Sequence, residues 1–351
     1  MKWKAMLVFF LLLLCQNTFS QFYWQKTYRS PLVNGDDEAF DGCYADGGNF
    51  YAVGSAALGS PYFFVLKINE HGDTIWTKTF GDGRLRSVTP DRSFGCVVTG
   101  LRGAPFSINL NSNGSLIWDK TYSNADANDI TRTNDSGYIL CAGIFSGYVC
   151  KLDTAGNLQW EKTYSGLPVG FATIELAIDG GYVIGGRKFV SGSWKAYFMK
   201  IDGAGNILWE KTDNYVASVS AIAKKTNGYI FVSSTFVGTA LRTVLLKTDI
   251  TGNLLLADTL LNNSLWDSYP SIVGINSNKF IISFQSDVPE PEIWGSRIVS
   301  IDSNLNIIKE LLLKPDTNSL NIYKVIKAPG SSIDDIICIG SAEPNSPGDL
   351  D

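Results

Sequence analysis

Residues 156–164 read GNLQWEKTY, and closely similar stretches occur as GSLIWDKT at 114–121 and as GNILWEKT at 205–212. What they share is a tryptophan followed by x-Lys-Thr. This element is found at Trp24, Trp76, Trp118, Trp160 and Trp209, and two decayed copies without tryptophan follow at Leu256 and Lys309. The copies lie 42 to 53 residues apart, a period typical of proteins built from repeated supersecondary units.

Three further elements recur between these anchors, always in the same order. In one unit they are a short apolar segment, ATIELAI (172–178), a run after a glycine turn, GGYVIGG (180–186), and a third run, AYFMKID (196–202). A turn of the form D-x-x-G then leads to the tryptophan segment. Each run is short, rich in β-branched and aromatic residues and bounded by Gly, Asn or Asp, so each is predicted to be a β-strand.

Four strands per unit, joined by hairpins, predict one antiparallel blade. The runs are apolar at nearly every position, so both faces of each blade must be covered, and radial stacking of blades achieves this. The sequence therefore predicts an all-β fold, a seven-bladed β-propeller of four-stranded antiparallel blades, as a single domain over residues 21–351. The tryptophan strand comes last in each unit, so we expect it to be outermost, with its ring covering the gap between blades and the lysine stem along that ring.

The first twenty residues have the features of an export signal. MKWK (1–4) supplies positive charge, AMLVFFLLLL (5–14) is a run of ten apolar residues, and TFS (18–20) places small residues before Gln21. Ten residues are too few to span a bilayer, and no later stretch approaches the ~20 that are needed. We expect cleavage after Ser20 rather than lipidation at Cys15, and a mature protein that is extracellular, at the cell surface or periplasmic.

The two ends of the chain are expected to close the ring together. FYWQKTY (22–28) is an outermost strand with no inner strands before it, whereas NIYKVIKA (321–328) and DIICIGSA (335–342) are inner strands with no outer one after them. The termini should therefore share the last blade. That blade is expected to be incomplete, because 339–351 stops where the third run of the unit should begin.

The repeat resembles that of secreted propellers from gram-negative bacteria, whose consensus is DGGYivaGst…yvlKlDsnGnilWqKtyGG. The best matches are DGGYVIGG (179–186), YVCKLDTAGNLQWEKTY (148–164) and YFMKIDGAGNILWEKT (197–212). This resemblance implies a propeller of the cell envelope, in a family often attached to a sorting domain for type IX secretion. The D-x-x-G turn before the tryptophan is also similar to that of the tryptophan-docked propellers of the pyrroloquinoline quinone type. Because the Cys-Cys pair of quinone chemistry is absent, this second similarity implies the scaffold alone.

Motifs for catalysis or metal binding are sparse. The only histidine, His71, lies in the turn NEHGD, and neither G-x-S-x-G nor H-E-x-x-H occurs. The repeated carboxylates start hairpin turns, where aspartate bonds its own backbone, so they are interpreted as turn residues rather than calcium ligands or a catalytic pair. They are Asp153, Asp202, Asp249 and Asp302. No cofactor is expected, and a calcium site would be sought in the acidic loop NGDDEAFDG (34–42).

The cysteines leave two interpretations open. The mature chain would contain Cys43, Cys96, Cys141, Cys150 and Cys338, an odd number, so at least one thiol stays free. A two-residue turn at Phe145 and Ser146 would place Cys141 opposite Cys150, where a disulfide can form at a close pair. Otherwise both are small buried hydrophobic residues.

These features favour an exported, non-enzymatic and monomeric propeller that serves as a binding scaffold for a protein or glycan. The net charge of −5 and the absence of a basic run argue against nucleic acid. Partners are expected on the irregular loops at 29–40, 188–195 and 286–296, and the loop tryptophans Trp194 and Trp294 are candidate ligand or interface residues. Two alternatives remain: a polysaccharide hydrolase or lyase with acids drawn from several blades, and an outer-membrane assembly scaffold.

Overall fold

The chain folds as an all-β protein in a computed structural model. The structure describes residues 6–13, 21–28, 38–45, 47–56, 62–81, 83–122, 127–143, 145–165, 169–214, 216–260, 267–289, 292–313, 319–328 and 335–343. Among these residues, no helix is long and apolar enough to cross a membrane.

The strands follow the predicted repeat. Strand β1 is Met6–Leu13 and β2 is Gln21–Tyr28. The first three repeats contain β3 (Glu38–Ala45), β4 (Asn49–Ala56), β5 (Tyr62–Ile68), β6 (Thr74–Phe80); β7 (Arg84–Pro90), β8 (Cys96–Leu101), β9 (Pro105–Leu110), β10 (Leu116–Thr121); and β11 (Ala127–Arg132), β12 (Tyr138–Ala142), β13 (Gly147–Leu152), β14 (Leu158–Tyr164). The next two contain β15 (Val169–Leu176), β16 (Tyr182–Val190), β17 (Ser193–Ile201), β18 (Ile207–Asp213); and β19 (Val219–Lys225), β20 (Gly228–Val237), β21 (Ala240–Thr248), β22 (Leu254–Thr259). The remaining strands are β23 (Asp267–Asn276), β24 (Lys279–Pro289), β25 (Glu292–Asp302), β26 (Ile307–Leu313), β27 (Ser319–Lys327) and β28 (Asp335–Glu343).

The prediction of seven blades is wrong, and the structure has six. Five repeats form four-stranded antiparallel sheets as predicted, but the strands of the sixth and seventh repeats belong to one eight-stranded sheet. Its two halves, β23 to β26 and the set β27, β28, β1 and β2, are joined where Trp294 forms a parallel bridge with Ser319. The spacing of a sequence motif counts repeats, but it does not determine whether two neighbouring repeats share a sheet.

The hydrophobic core consists of layers between successive repeats. Phe198 of one repeat stacks on Phe231 of the next, with ring centroids 4.5 Å apart. The two halves of the eight-stranded blade pack in the same way, with Ile298 and Ile336 in one cluster. Because the middle strands are covered on both faces, their sequences are apolar throughout, and β12 is buried at every position.

Each repeat tryptophan whose side chain the structure describes docks onto the glycine turn before the tryptophan strand of the next repeat, a turn that begins with Asp or, for Trp76, with Asn111. Trp160 Nε1 donates to the carbonyl of Gly203 at 3.0 Å, and Tyr164 donates its hydroxyl to the carbonyl of Gly205 at 2.8 Å. Lys162 bonds the asparagine of the same turn at 2.6 Å. Equivalent bonds from the indole to the next turn are made by Trp76, Trp118 and Trp209. The repeated motif is thus a clasp between repeats, as the structural interpretation predicted.

The chain ends meet in the eight-stranded blade. Strand β2 is at its outer edge, in the sheet that also contains β27 and β28, and Lys26 and Tyr28 contact Asp73 and Gly72 in the turn of the first repeat. Strand β1 lies between β28 and β2, antiparallel to both, and occupies the position where the third run of this blade was expected to be missing. That the sequence itself stops before its own third run stays a prediction. Residues 14–20, with Cys15 and the expected cleavage point, lie outside the described residues, and the export signal stays a prediction.

Candidate functional site

Seven of the described strands line a central channel, and each is interrupted near the same end. These first strands of the repeats are β3, β7, β11, β15, β19, β23 and β27. The pairing of each with its second strand shifts near this end, at a β-bulge that re-aims a side chain. The pairing of β23 with β24 shifts a second time, between Gly274 and Asn276. The residues at the bulges are Phe40, Arg86, Asn128, Ala172, Ser220, Tyr269 with Pro270, and Tyr323. All of them line one cavity of about 800 Å³, here called the channel mouth.

The channel mouth lies at the end where the first strands begin and the second strands finish. The hairpins between β16 and β17 and between β24 and β25 are at this end, because successive antiparallel strands alternate in direction. The proposed loops 188–195 and 286–296 therefore share a face with the cavity in their described residues, as do residues 38–40 at the end of the first proposed loop. Residues 29–37 and 290–291 of those loops lie outside the described residues.

Below the mouth, polar side chains that directly follow the bulges link neighbouring first strands. Asp41 Oδ2 accepts a hydrogen bond from the backbone nitrogen of Val88 at 2.9 Å, and Asp129 Oδ2 accepts one from Ile174 at 2.9 Å. Ser271 accepts the equivalent bond in the eight-stranded blade at 3.3 Å. These side chains supply hydrogen bonds between neighbouring first strands, which do not pair with one another through their backbones.

A chain of polar contacts, here called the belt, runs through this level. Ser87 Oγ lies 2.8 Å from Asp41 Oδ2 and 2.8 Å from Asp129 Oδ1, although one hydroxyl hydrogen serves only one carboxylate at a time. Lys324 Nζ lies 2.9 Å from Asp41 Oδ1, and Thr173 donates its hydroxyl to Asp129 Oδ2 at 3.1 Å. The belt therefore connects β27, β3, β7, β11 and β15.

The belt shifts the protonation of its members in a definite direction. Burial, with Asp41 adding to it, raises the pKa of the Asp129 carboxyl to about 6, and Lys324 opposes the shift. Burial acts to lower the pKa of the Lys324 amine, but the carboxylates of Asp41 and Asp129 outweigh it and raise that pKa. Lys324 is therefore positively charged, and its charge offsets the repulsion between the carboxylates of Asp41 and Asp129.

Two neighbouring carboxyls from separate repeats are what a glycoside-cleaving pair would require. In this channel, however, Asp41 Oδ2 and both oxygens of Asp129 accept hydrogen bonds from the scaffold, and Asp41 Oδ1, which accepts no other bond among the described residues, is in an ion pair with Lys324. A substrate would have to break these bonds to reach them. The geometry therefore favours a structural role for Asp41 and Asp129, as members of the belt, over a catalytic one.

One part of the channel mouth is cationic. Arg84 and Arg86 on β7 are exposed there, and Leu85 between them is fully buried. Arg187 on β16 lines the same cavity, and Glu38 is the one acidic residue among the described residues of its wall. Within the described part of the chain, neither Arg84 nor Arg86 is among the residues that form ion pairs.

An aromatic arc occupies another part of the mouth. Phe40, Tyr323 and Tyr269 come from β3, β27 and β23, which are neighbours in the ring, and the ring centroids are 6.0 Å and 5.5 Å apart in that order. Tyr269 is 62% exposed, and its φ of 51° lies in the left-handed region that bulky residues rarely adopt. Such strain is concentrated at ligand clamps and other functional positions.

Hydroxyl groups form a third part of the wall. Ser218, Ser220 and Ser234 come from the fifth repeat, at the start of β19 and on β20. Ser234 Oγ is buried and has no hydrogen-bond partner among the described residues.

The two candidate tryptophans have different outcomes. Trp194 lies half-buried on β17, with its ring centroid 5.5 Å from that of Phe189, and the guanidinium of Arg187 stacks on it at 4.4 Å. It thus supports an arginine of the mouth, and a direct role in ligand binding stays a prediction. The backbone of Trp294 is on β25, but its side chain lies outside the described part of the structure.

The register predicted for the two cysteines is wrong by one residue. Cys141 is paired with Val149 and Cys150 with Leu140, so the two side chains point to opposite faces of the blade. Both are buried and free, in different core clusters. The innermost pair of these strands is Ala142 with Tyr148, so an odd number of residues, five, lies between them, whereas a two-residue turn would leave an even number. Gly143 begins this connection with a φ of 97°.

The repeated aspartates are turn residues, as predicted. Asp153 Oδ1 accepts bonds from the backbone nitrogens of Ala155 and Asn157 at 2.8 Å each. The same pair of bonds is made by Asp202, Asp249 and Asp302. His71 lies exposed in the corresponding turn of the first repeat.

The acidic loop offers no metal ligand set in the described part of the chain. Asp41, its last acid, is a member of the belt, and residues 34–37 lie outside the described residues. No group of three or more potential ligand side chains occurs among the described residues.

The residues of the channel mouth were missed by sequence reasoning. They occupy one equivalent position in each repeat, but their types differ, so they carry no common motif. Aligning the first strands of the repeats would have brought Phe40, Arg86, Asn128 and Tyr323 into one column. The bulge that points them at the channel has no sequence signature of its own.

Comparisons with known proteins support the fold and nothing finer. No protein-family model and no curated protein matches the chain. Among solved structures, the Dos1 propeller superposes with a TM-score of 0.53 at 10% identity, over 87% of this chain and 92% of that one. A protein of unknown function from Bacteroides caccae superposes with a TM-score of 0.48 at 11% identity, over 72% of this chain and 93% of that one. The β-propeller implied by the sequence resemblance is confirmed, whereas the particular repeat family and its sorting domain stay predictions.

Proposed function

We propose that this protein is an exported, non-enzymatic binding module that holds its partner at the channel mouth. The observation that carries the proposal is the cavity of about 800 Å³ to which the bulge residues of all seven first strands contribute. A cavity of this size lies within the range of ~300 to 1,000 Å³ found for ligand sites. It opens on the face with the irregular loops, where a rigid frame presents variable side chains.

The composition of the wall supports binding rather than packing. Cationic, aromatic and hydroxyl groups each occupy a part of it, and Tyr269 is both exposed and conformationally strained. An exposed aromatic side chain on a residue with a strained backbone is not explained by the burial of apolar surface. Stacking on a ligand would explain it.

The rival proposal is a polysaccharide hydrolase or lyase that uses Asp41 and Asp129. The position of the pair in the channel and the raised pKa of Asp129 favour it. The scaffold contacts to every oxygen of the pair favour the belt instead. An enzyme would release reducing ends or unsaturated sugars from a bound glycan, whereas a binding module returns it intact.

The proposal is tested with a glycan array and a pull-down from the native cell envelope, using the wild type and a Tyr269→Ala, Tyr323→Ala double variant. The control is His71→Ala, an exposed side chain in a turn at the other end of the repeats. We expect the double variant to lose the partner that the wild type and the control retain. Equal binding by all three proteins would refute a site at the mouth.

Export is tested separately by fractionating the native cells and sequencing the amino terminus of the protein. The proposal requires a protein outside the cytoplasm that begins at Gln21. A cytoplasmic protein that retains Met1 would contradict it.

A further inference from the structure

We propose that the ligand of the channel mouth is a sugar chain that carries carboxylates, of the hexuronate type. This inference rests on the proposed function, because it names the chemistry of a ligand at that site. Arg84 and Arg86 bind the carboxylates, the aromatic arc stacks on a sugar ring, and the serines bond its hydroxyls.

The first step of the argument is charge. The protein as a whole is acidic, with a net charge of −5, yet the described wall of the mouth contains three arginines and one glutamate. Arg84 and Arg86 are exposed on either side of the buried Leu85, so the strand holds both guanidinium groups at the cavity. Arginine offers a planar fork of donors that matches the two oxygens of a carboxylate. Trp194 stacks on the third guanidinium, that of Arg187, and fixes its position.

The second step is the aromatic arc. Tyr269 and Tyr323 meet edge to face, with ring centroids 5.5 Å apart, and Phe40 continues the row. Burial, with Glu38 adding to it, raises the pKa of the Tyr323 phenol to about 12, so that ring is neutral over the physiological range. Neutral aromatic faces combine a large apolar area with a polar edge, which suits the flat apolar face and equatorial hydroxyls of a pyranose ring.

The third step is the hydroxyl wall. Ser218, Ser220 and Ser234 lie together in the fifth repeat, and the buried Ser234 Oγ lacks a partner among the described residues. A hydroxyl is both donor and acceptor, as is each sugar hydroxyl, so the two can bond in either direction. A folded protein would need ~800 Å² of surface per partner, and a recessed cavity with separate cationic, aromatic and hydroxyl walls fits a short sugar chain better.

The test is isothermal titration of the full chain with trigalacturonic acid and with its methyl ester, which has the same rings without the charges. We expect the wild type to bind the acid at least tenfold more tightly than the ester, and the preference to shrink as salt is added. Arg84→Gln with Arg86→Gln should lower the affinity for the acid at least tenfold and leave that for the ester unchanged. The matched control is Arg92→Gln, an exposed arginine in the hairpin at the far end of β7.

The aromatic contribution is separated by a second variant. Tyr269→Ala should lower the affinity for the acid and the affinity for the ester by the same factor, because stacking on the ring does not depend on the carboxylate. Equal affinity of the wild type for acid and ester, or no binding of the acid at millimolar concentration, would overturn the inference. If the acid fails to bind while the mouth variants still lose the partner found on the array, this inference is wrong and the proposed function stands. Thermal melts of each variant confirm that a loss of affinity is not a loss of fold.

Discussion

At the scale of single residues, Asp129 ties the stability of the ring to pH. Its pKa of about 6 in the folded protein is above that of an unfolded aspartate, so the folded state holds the proton more tightly. Its stabilising contribution is therefore complete below the unfolded pKa and is lost as the pH rises through about 6. We expect wild-type stability to fall between pH 4 and pH 7 by on the order of 1 to 2 kcal/mol more than that of Asp129→Asn.

Urea unfolding at several pH values across this window measures the difference. Asp153→Asn is the control, because the Asp153 carboxyl lies in an exposed turn and its pKa is lowered rather than raised. If the stability of the wild type and that of Asp129→Asn change with pH in parallel, the pKa of Asp129 is not raised in the folded protein.

The clasp between repeats is also decided by single residues, and one turn contains its own control. Gly205 has a φ of 79°, and a Cβ there would lie 2.9 Å from the ring of Trp160, whereas a Cβ at Gly203 would meet nothing within 4 Å. Gly205→Ala should cost at least ~1 to 2 kcal/mol, because it combines left-handed strain with displacement of the indole. Gly203→Ala should be nearly neutral. Thermal or urea unfolding of both variants tests this, and equal stabilities would mean that the tryptophan does not depend on that glycine.

At the scale of elements, the strands were predictable but one register was not. Apolar runs and glycine turns correctly located β12 and β13. The predicted pairing of Cys141 with Cys150 was wrong because an even number of residues was assumed between the innermost paired residues of the hairpin. One residue more or less in a hairpin moves a side chain to the opposite face. Strand identity is a property of many residues, whereas register depends on one turn.

The observed register makes a chemical prediction for these two cysteines. Burial raises the pKa of the Cys150 thiol to about 12, and burial also raises that of Cys141, so both should resist alkylation in the native protein. After denaturation without a reducing agent, mass spectrometry should find both positions alkylated. A peptide pair in which neither cysteine is alkylated and two hydrogens are missing would reveal a disulfide between Cys141 and Cys150 and would contradict the register.

The candidate site was the least predictable part for a related reason. The turn aspartates and the tryptophan clasp repeat, so their structural role could be inferred from repetition itself. Arg86, Asn128 and Tyr323 share a position but no chemistry, and only the bulges of β7, β11 and β27 bring them together. The candidate site of this protein is built from positions at which the residue type differs between repeats, and repetition in the sequence therefore does not reveal it.

At the scale of the whole molecule, repetition predicted the propeller but not its division into sheets. Seven motif slots are present in the sequence, and the structure gathers their strands into six sheets. The difference arises at one backbone bridge, between Trp294 and Ser319, in the least regular repeats. Of the two slots that have lost tryptophan, Lys309 lies on β26 of this sheet, whereas Leu256 lies on β22 of the preceding four-stranded blade.

The ring is closed through β1. Among the described strands, β2 is paired with β1 alone, and β1 is paired on its other side with β28. Strand β1 belongs to the segment predicted to be an export signal. Removal of residues 1–20 would therefore leave a space one strand wide, with unpaired backbone groups on both of its sides, which is an edge that accepts an added strand.

We accordingly predict that a chain of residues 21–351 melts at a lower temperature than the full chain, and that the loss is confined to this blade. Amide hydrogen exchange should become fast in Gln21–Tyr28 and along the outward edge of Asp335–Glu343, and should stay slow in the middle strands of the other blades, such as Tyr182–Val190. A peptide with the third-run sequence AYFMKID, residues 196–202, should restore protection by pairing in the space, whereas the same peptide with proline in place of its methionine should not. If exchange in Gln21–Tyr28 is equally slow with and without residues 1–20, the strand is held by its contacts with the turn at Gly72 and Asp73, and β1 is not required to close the ring.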